Sequence, residues 1–254
     1  MREIAYAKIN LALHVRARQA DGYHRIETIF AFCEDGDVLT AAPGESLSLA
    51  LTGPFAGALA SEPDNLVLKA ARMLGARAAL TLDKRLPVAA GLGGGSADAA
   101  AALRLLGGDR LAEIAARLGA DVPACLLSRT ARGEGRGDAV EPLPIDGLAG
   151  TPVLLVNPGV PLSTAAVFAG WDGVDRGPLG DWEAGRNDLE APARRLVPAI
   201  GAVLDALSAA RIARMSGSGA TCFGLFASDT ERDAAAARIA AGHPGWWVSQ
   251  TRLR

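Results

Sequence analysis

Lysine, cysteine and aromatic residues are all scarce in this chain of 254 residues, which has three lysines among 26 basic residues, three cysteines and 5% aromatic residues. The cysteines Cys33, Cys125 and Cys222 are far apart and form no Cys-x-x-Cys motif. Neither a disulfide framework nor a zinc site is predicted, so a reducing cytoplasm is the expected compartment. There is no apolar signal core at the N-terminus, and no apolar run approaches the roughly 20 residues that span a bilayer. Secretion and membrane insertion are not expected.

Charge and composition restrict the function further. A net charge of -2 argues against a nucleic-acid partner, and 50% hydrophobic residues provide the core of one large or two small domains. Two common phosphate-binding motifs are missing as well. No Gly-x-x-x-x-Gly-Lys-Ser/Thr occurs, and the dinucleotide-binding spacing fails at Ser96, where a third glycine is needed.

A glycine-rich segment is the main functional signal that remains. Four glycines fall within five residues at 91–95 and lead directly into an alanine-rich helix. A loop without Cβ atoms lets its N–H groups face an anion, and the positive end of the helix dipole adds attraction. Ser96 follows as a candidate N-cap or metal-facing hydroxyl. The alternative is an ordinary glycine loop that caps a core helix.

Apolar periodicity predicts a mixed fold. In the first half, strands are predicted at 8–15, 47–52 and 79–84, and helices at 66–74, 97–106 and 111–118. A proline-containing stretch at 141–152 is typical of a linker, which divides the chain into domains 1–148 and 149–254. The second half is predicted as strand 153–157, helix 163–170, further helices across 188–210, strands 211–215 and 221–227, helix 230–241 and strand 246–251. This β-α-β-β-α-β order is the ferredoxin-like plan.

Several polar residues are candidates for a site, and each has a plain structural alternative. Alternation in the first strand puts Lys8, Asn10 and His14 on one face. The structural alternative is that this face is a solvated surface. Asp121 is a candidate site residue that directly precedes Val-Pro. The structural alternative is that Asp121 is the N-cap of a short helix. The run at 214–221 is either a hairpin with a glycine loop or a second set of backbone donors. Tyr23 and His24 lie in a turn and suit stacking on a flat heterocycle.

Taken together, these motifs resemble one family, the GHMP kinases. Ala-Lys-Ile-Asn-Leu at 7–11, the glycine-rich segment at 87–100 and the run at 215–221 are similar to its three motifs in order and spacing. The resemblance implies an α+β fold with two domains: an N-terminal domain with a left-handed β-α-β unit, and a ferredoxin-like C-terminal domain. The active site is expected in the cleft between them.

The resemblance also implies residue roles. Asp121 accepts or orients the proton of the substrate hydroxyl, with the Lys8 cation beside it. ATP is the expected cofactor with Mg²⁺, for which Ser96 is the candidate ligand. The expected ATP-binding residues are Pro87, Val88, Ala89, Ala90, Gly91, Leu92, Gly93, Gly94, Gly95, Ser96 and Ala97.

For the acceptor, the resemblance implies the 2-hydroxyl of a cytidine diphosphate conjugate of methylerythritol. Tyr23 and Phe168 are expected to sandwich its base, His24 to bind the polar edge of the base and Asn10 to contact the methylerythritol. A buried helix face is the alternative for Phe168. A kinase of the same family acting on another small alcohol, such as mevalonate or homoserine, remains open. So do a nucleotide-binding protein without catalysis and a protein-binding module. No nucleic-acid or membrane partner is expected, and a monomer or a homodimer is expected.

Overall fold

A computed structural model of the chain describes residues 1–59 and 65–254. Over these residues the strands form one sheet of six and one sheet of four. No helix in the described ranges is long and apolar enough to cross a membrane. The α+β prediction is confirmed. All strands of the larger sheet lie within residues 2–142 and all strands of the smaller within 152–252, which agrees with a domain boundary near 148 but does not test it.

The N-terminal half consists of six strands, four α-helices and one short 3-10 helix (Ala56–Ala58) within the described part of the chain. Its strands are β1 (Arg2–Arg18), β2 (His24–Pro43), β3 (Ser48–Thr52), β4 (Ala78–Asp83), β5 (Ala131–Gly135) and β6 (Ala139–Pro142). Its helices are α1 (Leu66–Met73), α2 (Gly94–Leu106), α3 (Leu111–Leu118) and α4 (Val122–Leu127). The three helices and three strands predicted for this half are confirmed, with shifted ends. The strands β2, β5 and β6 were not predicted.

Burial explains why β2 was missed. This strand pairs with β1, β4 and β5, and both of its faces are buried from Thr28 to Cys33. A strand covered on both sides has no alternation of apolar and polar residues, so period two does not reveal it. The predicted linker begins inside β6, a short edge strand that pairs only with β5 among the described residues.

Bulges in β1 change which of its side chains share a face, so the predicted face is partly wrong. The pairing of β1 with β2 shifts between Asn10 and Ala12, which exchanges the two faces of the strand beyond that point. Leu13 therefore joins Lys8 and Asn10 on the wall of the central cavity. The prediction that His14 shares their face is wrong. Its Nδ1 atom lies 3.2 Å from the carbonyl oxygen of Gly177 instead.

The C-terminal half has the predicted ferredoxin-like arrangement. Its elements are β7 (Pro152–Asn157), α5 (Thr164–Ala169), α6 (Glu190–Leu196), α7 (Ala199–Ala206), β8 (Ile212–Met215), β9 (Cys222–Leu225), α8 (Asp229–Gly242) and β10 (Trp247–Arg252). The sheet is antiparallel in the order β10-β7-β9-β8. One apolar cluster joins this sheet to the larger one, since Ile9 and Leu11 of β1 share it with Leu155 and Phe223.

The hairpin between β8 and β9 packs directly on the glycine-rich segment. Ser216 donates a hydrogen bond from Oγ to the carbonyl of Gly91 at 2.8 Å, and Thr221 donates its N–H to the carbonyl of Ala90 at 3.1 Å. Gly91 has φ +77°, and a Cβ there would lie 2.4 Å from the carbonyl oxygen of Ser216. Only glycine fits this contact.

We expect Gly91→Ala to lower the free energy of unfolding by about 1–3 kcal/mol, because the new methyl group meets backbone at a left-handed residue. Gly95→Ala is the matched control. A Cβ at Gly95 meets only the Leu66 side chain, at 3.7 Å, and alanine favours the helix. Urea unfolding of the two variants tests this. An equal effect of both substitutions on stability would contradict the packing described here.

Candidate active site

A large cavity, with a volume of about 870 Å³, lies where the glycine-rich segment, β1 and the β8–β9 hairpin meet. It brings together every catalytic and substrate-binding residue predicted from the sequence: Lys8, Asn10, Tyr23, His24, Asp121 and Phe168. Their distances in the chain show that the fold, not local sequence, assembles them. The two alternatives of a solvated strand face and a plain turn are thereby disfavoured.

Lys8 and Asp121 form an ion pair on the wall of the cavity. The distance from Lys8 Nζ to Asp121 Oδ2 is 3.0 Å, and the lysine side chain is 4% exposed while that of the aspartate is 36% exposed. Asp121 stands at the N-cap position of α4, but its side chain makes no capping hydrogen bond. The carboxylate is therefore held by Lys8 and still reached from the cavity, as a group that meets a substrate must be.

Asn10 links this pair to the hairpin. Its Oδ1 accepts from Lys8 Nζ at 3.0 Å, and its Nδ2 donates to the hydroxyl of Thr28 at 2.8 Å. The backbone N–H of Asn10 donates to Ser216 Oγ at 3.2 Å. Asn10 is 2% exposed. Its amide is thus fixed in one orientation at the cavity wall.

The glycine-rich segment supplies one wall of the cavity and the start of α2. Gly93, at φ +64°, is the N-cap residue, so the prediction of Ser96 as N-cap is wrong; Ser96 is the third residue of the helix and lines the cavity. A Cβ at Gly93 would lie 2.9 Å from Cε of Lys8, so the segment approaches the Lys8 side chain closely. All predicted ATP-binding residues line the cavity except Leu92 and Ala97, whose side chains are in the core.

The other end of the cavity carries the aromatic residues. The His24 ring lies 5.0 Å from that of Phe168 and 5.6 Å from that of Trp171, between centroids. Burial lowers the pKa of His24, and the Arg18 cation lowers it further. A neutral imidazole offers one donor and one acceptor to a heterocycle. Phe168 both lines the cavity and packs against the C-terminal core, so the two interpretations of this residue are compatible.

Beneath the glycine-rich segment lies a buried charge cluster that the sequence did not reveal. The Lys84 ammonium donates to Asp37 and, at 2.9 Å, to Asp98. Asp37 also accepts the backbone N–H groups of Arg85 and Leu86. Burial alone would lower the pKa of Lys84, but the two carboxylates outweigh this effect, so the pKa of Lys84 is raised. Burial raises the pKa of Asp98 to about 7, against the attraction of Lys84.

Other residues of the cavity wall were also missed. They include Asn65, Leu66, Arg136 and Thr164. The scarcity of lysine could have predicted a special role for Lys84. In an arginine-rich chain, a lysine indicates a position that needs a compact ammonium group with three hydrogen-bond donors. Lys8 and Lys84 are both buried at this site.

Known proteins resemble this chain over almost its whole length. Two family models match, the GHMP kinases N terminal domain over residues 65–129 and the GHMP kinases C terminal model over residues 175–244. A 4-diphosphocytidyl-2-C-methyl-D-erythritol kinase of Rhizorhabdus wittichii is 59% identical, with 99% of this chain and 94% of the relative covered. A protein of the same name from Sphingopyxis alaskensis is 52% identical over 100% and 99% of the two chains. A crystal structure of 4-(cytidine 5'-diphospho)-2C-methyl-D-erythritol kinase, 34% identical, superposes with a TM-score of 0.83 and covers 99% of both chains.

The α+β fold and these matches define a phosphotransferase for small molecules. The chain belongs to the GHMP kinase family. The resemblance noted in the sequence is therefore confirmed.

Replacing Lys84 should strongly destabilise the protein. Lys84→Met leaves Asp37 and Asp98 buried without a counterion, and we expect a loss of about 3–5 kcal/mol in the free energy of unfolding. The matched control is Arg85→Met, which breaks the exposed pair of Arg85 with Asp83 and should cost about 1 kcal/mol at most. Chemical denaturation measures both. Similar losses in the two variants would contradict a buried role for Lys84.

The raised pKa of Asp98 predicts a pH effect on stability. Because the folded state holds this proton more tightly than the unfolded state, the contribution of Asp98 is fully present below pH 3.8 and is lost as the pH rises to about 7. Asp98→Asn removes this dependence, so the variant should gain stability relative to the wild type across this range, with a slope of at most about 1.4 kcal/mol per pH unit. Urea unfolding at several pH values measures the slope. Parallel curves of stability against pH for the wild type and Asp98→Asn would contradict the prediction.

Proposed function

We propose that this protein transfers the γ-phosphoryl group of ATP to the 2-hydroxyl of 4-diphosphocytidyl-2-C-methyl-D-erythritol, in the non-mevalonate route to isoprenoid precursors. The observation that carries the proposal is one cavity that holds a Lys–Asp pair, a glycine-rich segment at a helix start, and a Tyr–His pair. The names of the similar proteins agree with this substrate.

Asp121 is the group that receives or orients the proton of the acceptor hydroxyl. Its carboxylate faces the cavity, and the Lys8 ammonium 3.0 Å away neutralises charge beside it. Phosphoryl transfer passes through a loose transition state, so alignment of the two oxygens and compensation of charge matter more than base strength. Asn10 holds Lys8 from the other side and contacts the methylerythritol end of the acceptor.

The glycine-rich segment is the proposed triphosphate site. Gly91, Gly93, Gly94, Gly95 and Ser96 open onto the cavity at the N-terminus of α2, where backbone N–H groups and the helix dipole favour an anion. Asn65 and Leu66 stand with Pro87 and Val88 on the cavity wall. This partly apolar wall suits the nucleobase of ATP.

The donor set fits Mg²⁺ held mainly by the nucleotide. Over residues 1–59 and 65–254, no group of three acidic, histidine or cysteine side chains could hold a metal, and one oxygen of Asp98 is bound to the Lys84 ammonium. Ser96, which lines the cavity, is the proposed protein ligand. Mg²⁺ commonly binds in this way, with few protein oxygens and several phosphate oxygens. When bound, the metal neutralises charge on the phosphate oxygens.

The acceptor is oriented by the aromatic end of the cavity. Tyr23 and Phe168 enclose the cytosine, and neutral His24 binds its polar edge. This end distinguishes the proposal from a kinase for mevalonate or homoserine, which have no base to bind. The same proposal includes a division into domains 1–148 and 149–254. It also includes the cytoplasm as the compartment, and the three free, buried cysteines are compatible with a reducing compartment.

We expect Asp121→Asn to lower kcat by about a hundredfold or more, as loss of a proton acceptor typically does, and Lys8→Met to lower it nearly as much. The exposed Asp205, on α7 and away from the cavity, provides the control Asp205→Asn, which should keep kcat. Steady-state kinetics measures the rates, with circular dichroism as a check of folding. Near-normal turnover by Asp121→Asn would overturn the role of Asp121.

The substrate is tested by ADP release from Mg-ATP with a panel of acceptors. The panel contains 4-diphosphocytidyl-2-C-methyl-D-erythritol, the cytidine-free methylerythritol phosphate, mevalonate, homoserine and galactose. We expect turnover with the first compound alone. Turnover with another alcohol would keep the kinase chemistry and reject the acceptor, and no turnover with any compound would favour nucleotide binding without catalysis.

A further inference from the structure

Tyr23 is held by two residues to which the proposed chemistry gives no role, Asp21 and Arg136. The guanidinium of Arg136 lies over the Tyr23 ring, 3.9 Å from its centroid. Asp21 binds both partners at once: Oδ1 accepts the backbone N–H of Tyr23 at 3.0 Å, and Oδ2 accepts from Arg136 Nη2 at 2.6 Å. One carboxylate thus fixes the backbone of Tyr23 and the cation that covers its ring.

Arg136 reaches this position from another part of the chain. It stands in the tight turn between β5 and β6, between Gly135 and Gly137, which both have positive φ. Pairing of Gly135 with Ile26 places this turn beside the start of β2. Arg136 and Tyr23 both line the cavity. The contact therefore depends on the fold of the larger sheet and not on neighbouring sequence.

Such a contact matters because Tyr23 is otherwise loosely held. The residue is 55% exposed, so its ring has little packing to restrain it. A ring that is free to rotate must be ordered when a base stacks on it, and that ordering weakens binding. A guanidinium over one face restrains the ring through a cation–π contact and leaves the other face for a flat ligand.

We propose that Asp21 and Arg136 are positioning residues for the acceptor: they hold the Tyr23 ring in the orientation in which its second face stacks on the cytosine. This inference rests on the proposed function, because it takes the acceptor to carry that base. The pair acts through Tyr23 and makes no direct contact with the acceptor. Its effect falls on acceptor affinity and leaves the ATP site and the phosphoryl transfer step unchanged.

The substitutions separate the two contacts of Asp21. Arg136→Ala should raise the KM for the cytidine acceptor about two- to fivefold, the range of a cation–π contact at an exposed site, with kcat and the KM for ATP unchanged. Arg136→Lys keeps a cation and should recover part of the loss. Asp21→Asn keeps an acceptor for the Tyr23 N–H and loses the ion pair, so it should match Arg136→Ala. Asp21→Ala loses both contacts and should have the larger effect.

A double-mutant cycle decides whether Arg136 acts through Tyr23. In a Tyr23→Ala background, Arg136→Ala should cause no further rise in the KM for the acceptor. The control is Arg194→Ala, which removes an exposed arginine paired with Glu190 on α6, away from the cavity. An undiminished effect of Arg136→Ala in that background would show direct contact with the acceptor and overturn the proposal, as would an unchanged KM in the single variant.

Binding of cytidine 5′-diphosphate, followed by isothermal titration calorimetry, separates this proposal from the proposed function. We expect the wild type and Arg194→Ala to bind it with equal affinity and Arg136→Ala to bind it about two- to fivefold more weakly. Binding that Arg136→Ala leaves intact overturns the positioning role alone. No binding by the wild type contradicts the proposed acceptor itself.

Discussion

Hydrogen bonds between two glycine-rich loops join the two halves of this molecule at the place where chemistry is expected. Ser216 and Thr221 of the C-terminal hairpin donate to the carbonyls of Gly91 and Ala90, and Ser216 also accepts from the backbone of Asn10. Gly91 allows this approach because it has no Cβ. The cavity at this junction, and the hydrogen bond between Asn10 and the hairpin, depend on this contact.

Charge is arranged in two layers below and within this cavity. The deeper layer is Lys84 between Asp37 and Asp98, which ties β2, the segment after β4 and α2 together out of solvent. The upper layer is Lys8 with Asp121, where the carboxylate is still partly exposed. A buried ion pair positions backbone at a cost in desolvation, whereas a half-exposed pair remains available to a substrate. The two lysines therefore serve different purposes in the same cavity.

Much of the site was predictable because its residues form compact motifs. The glycine run at 91–95 and the helix after it, the Lys8–Asn10 face and the Tyr23–His24 turn are each local in sequence. The cluster of Asp37, Lys84 and Asp98 was not predictable, since its members lie on three elements and only folding brings them together. His14 was misplaced because a bulge in β1 cannot be seen in an alternation pattern. The strand β2 was missed because burial on both faces removes the alternation altogether.

The central claim is that a phosphoryl group is transferred to the 2-hydroxyl of a cytidine-bearing acceptor. The most direct measurement is a proton-coupled ³¹P NMR spectrum of the product. Carbon 2 of 2-C-methylerythritol carries a methyl group and no hydrogen, so a phosphate monoester at that oxygen gives an unsplit resonance. The account predicts this singlet beside the retained diphosphate signals. A monoester split into a doublet or triplet by carbinol protons, or no monoester at all, would contradict it.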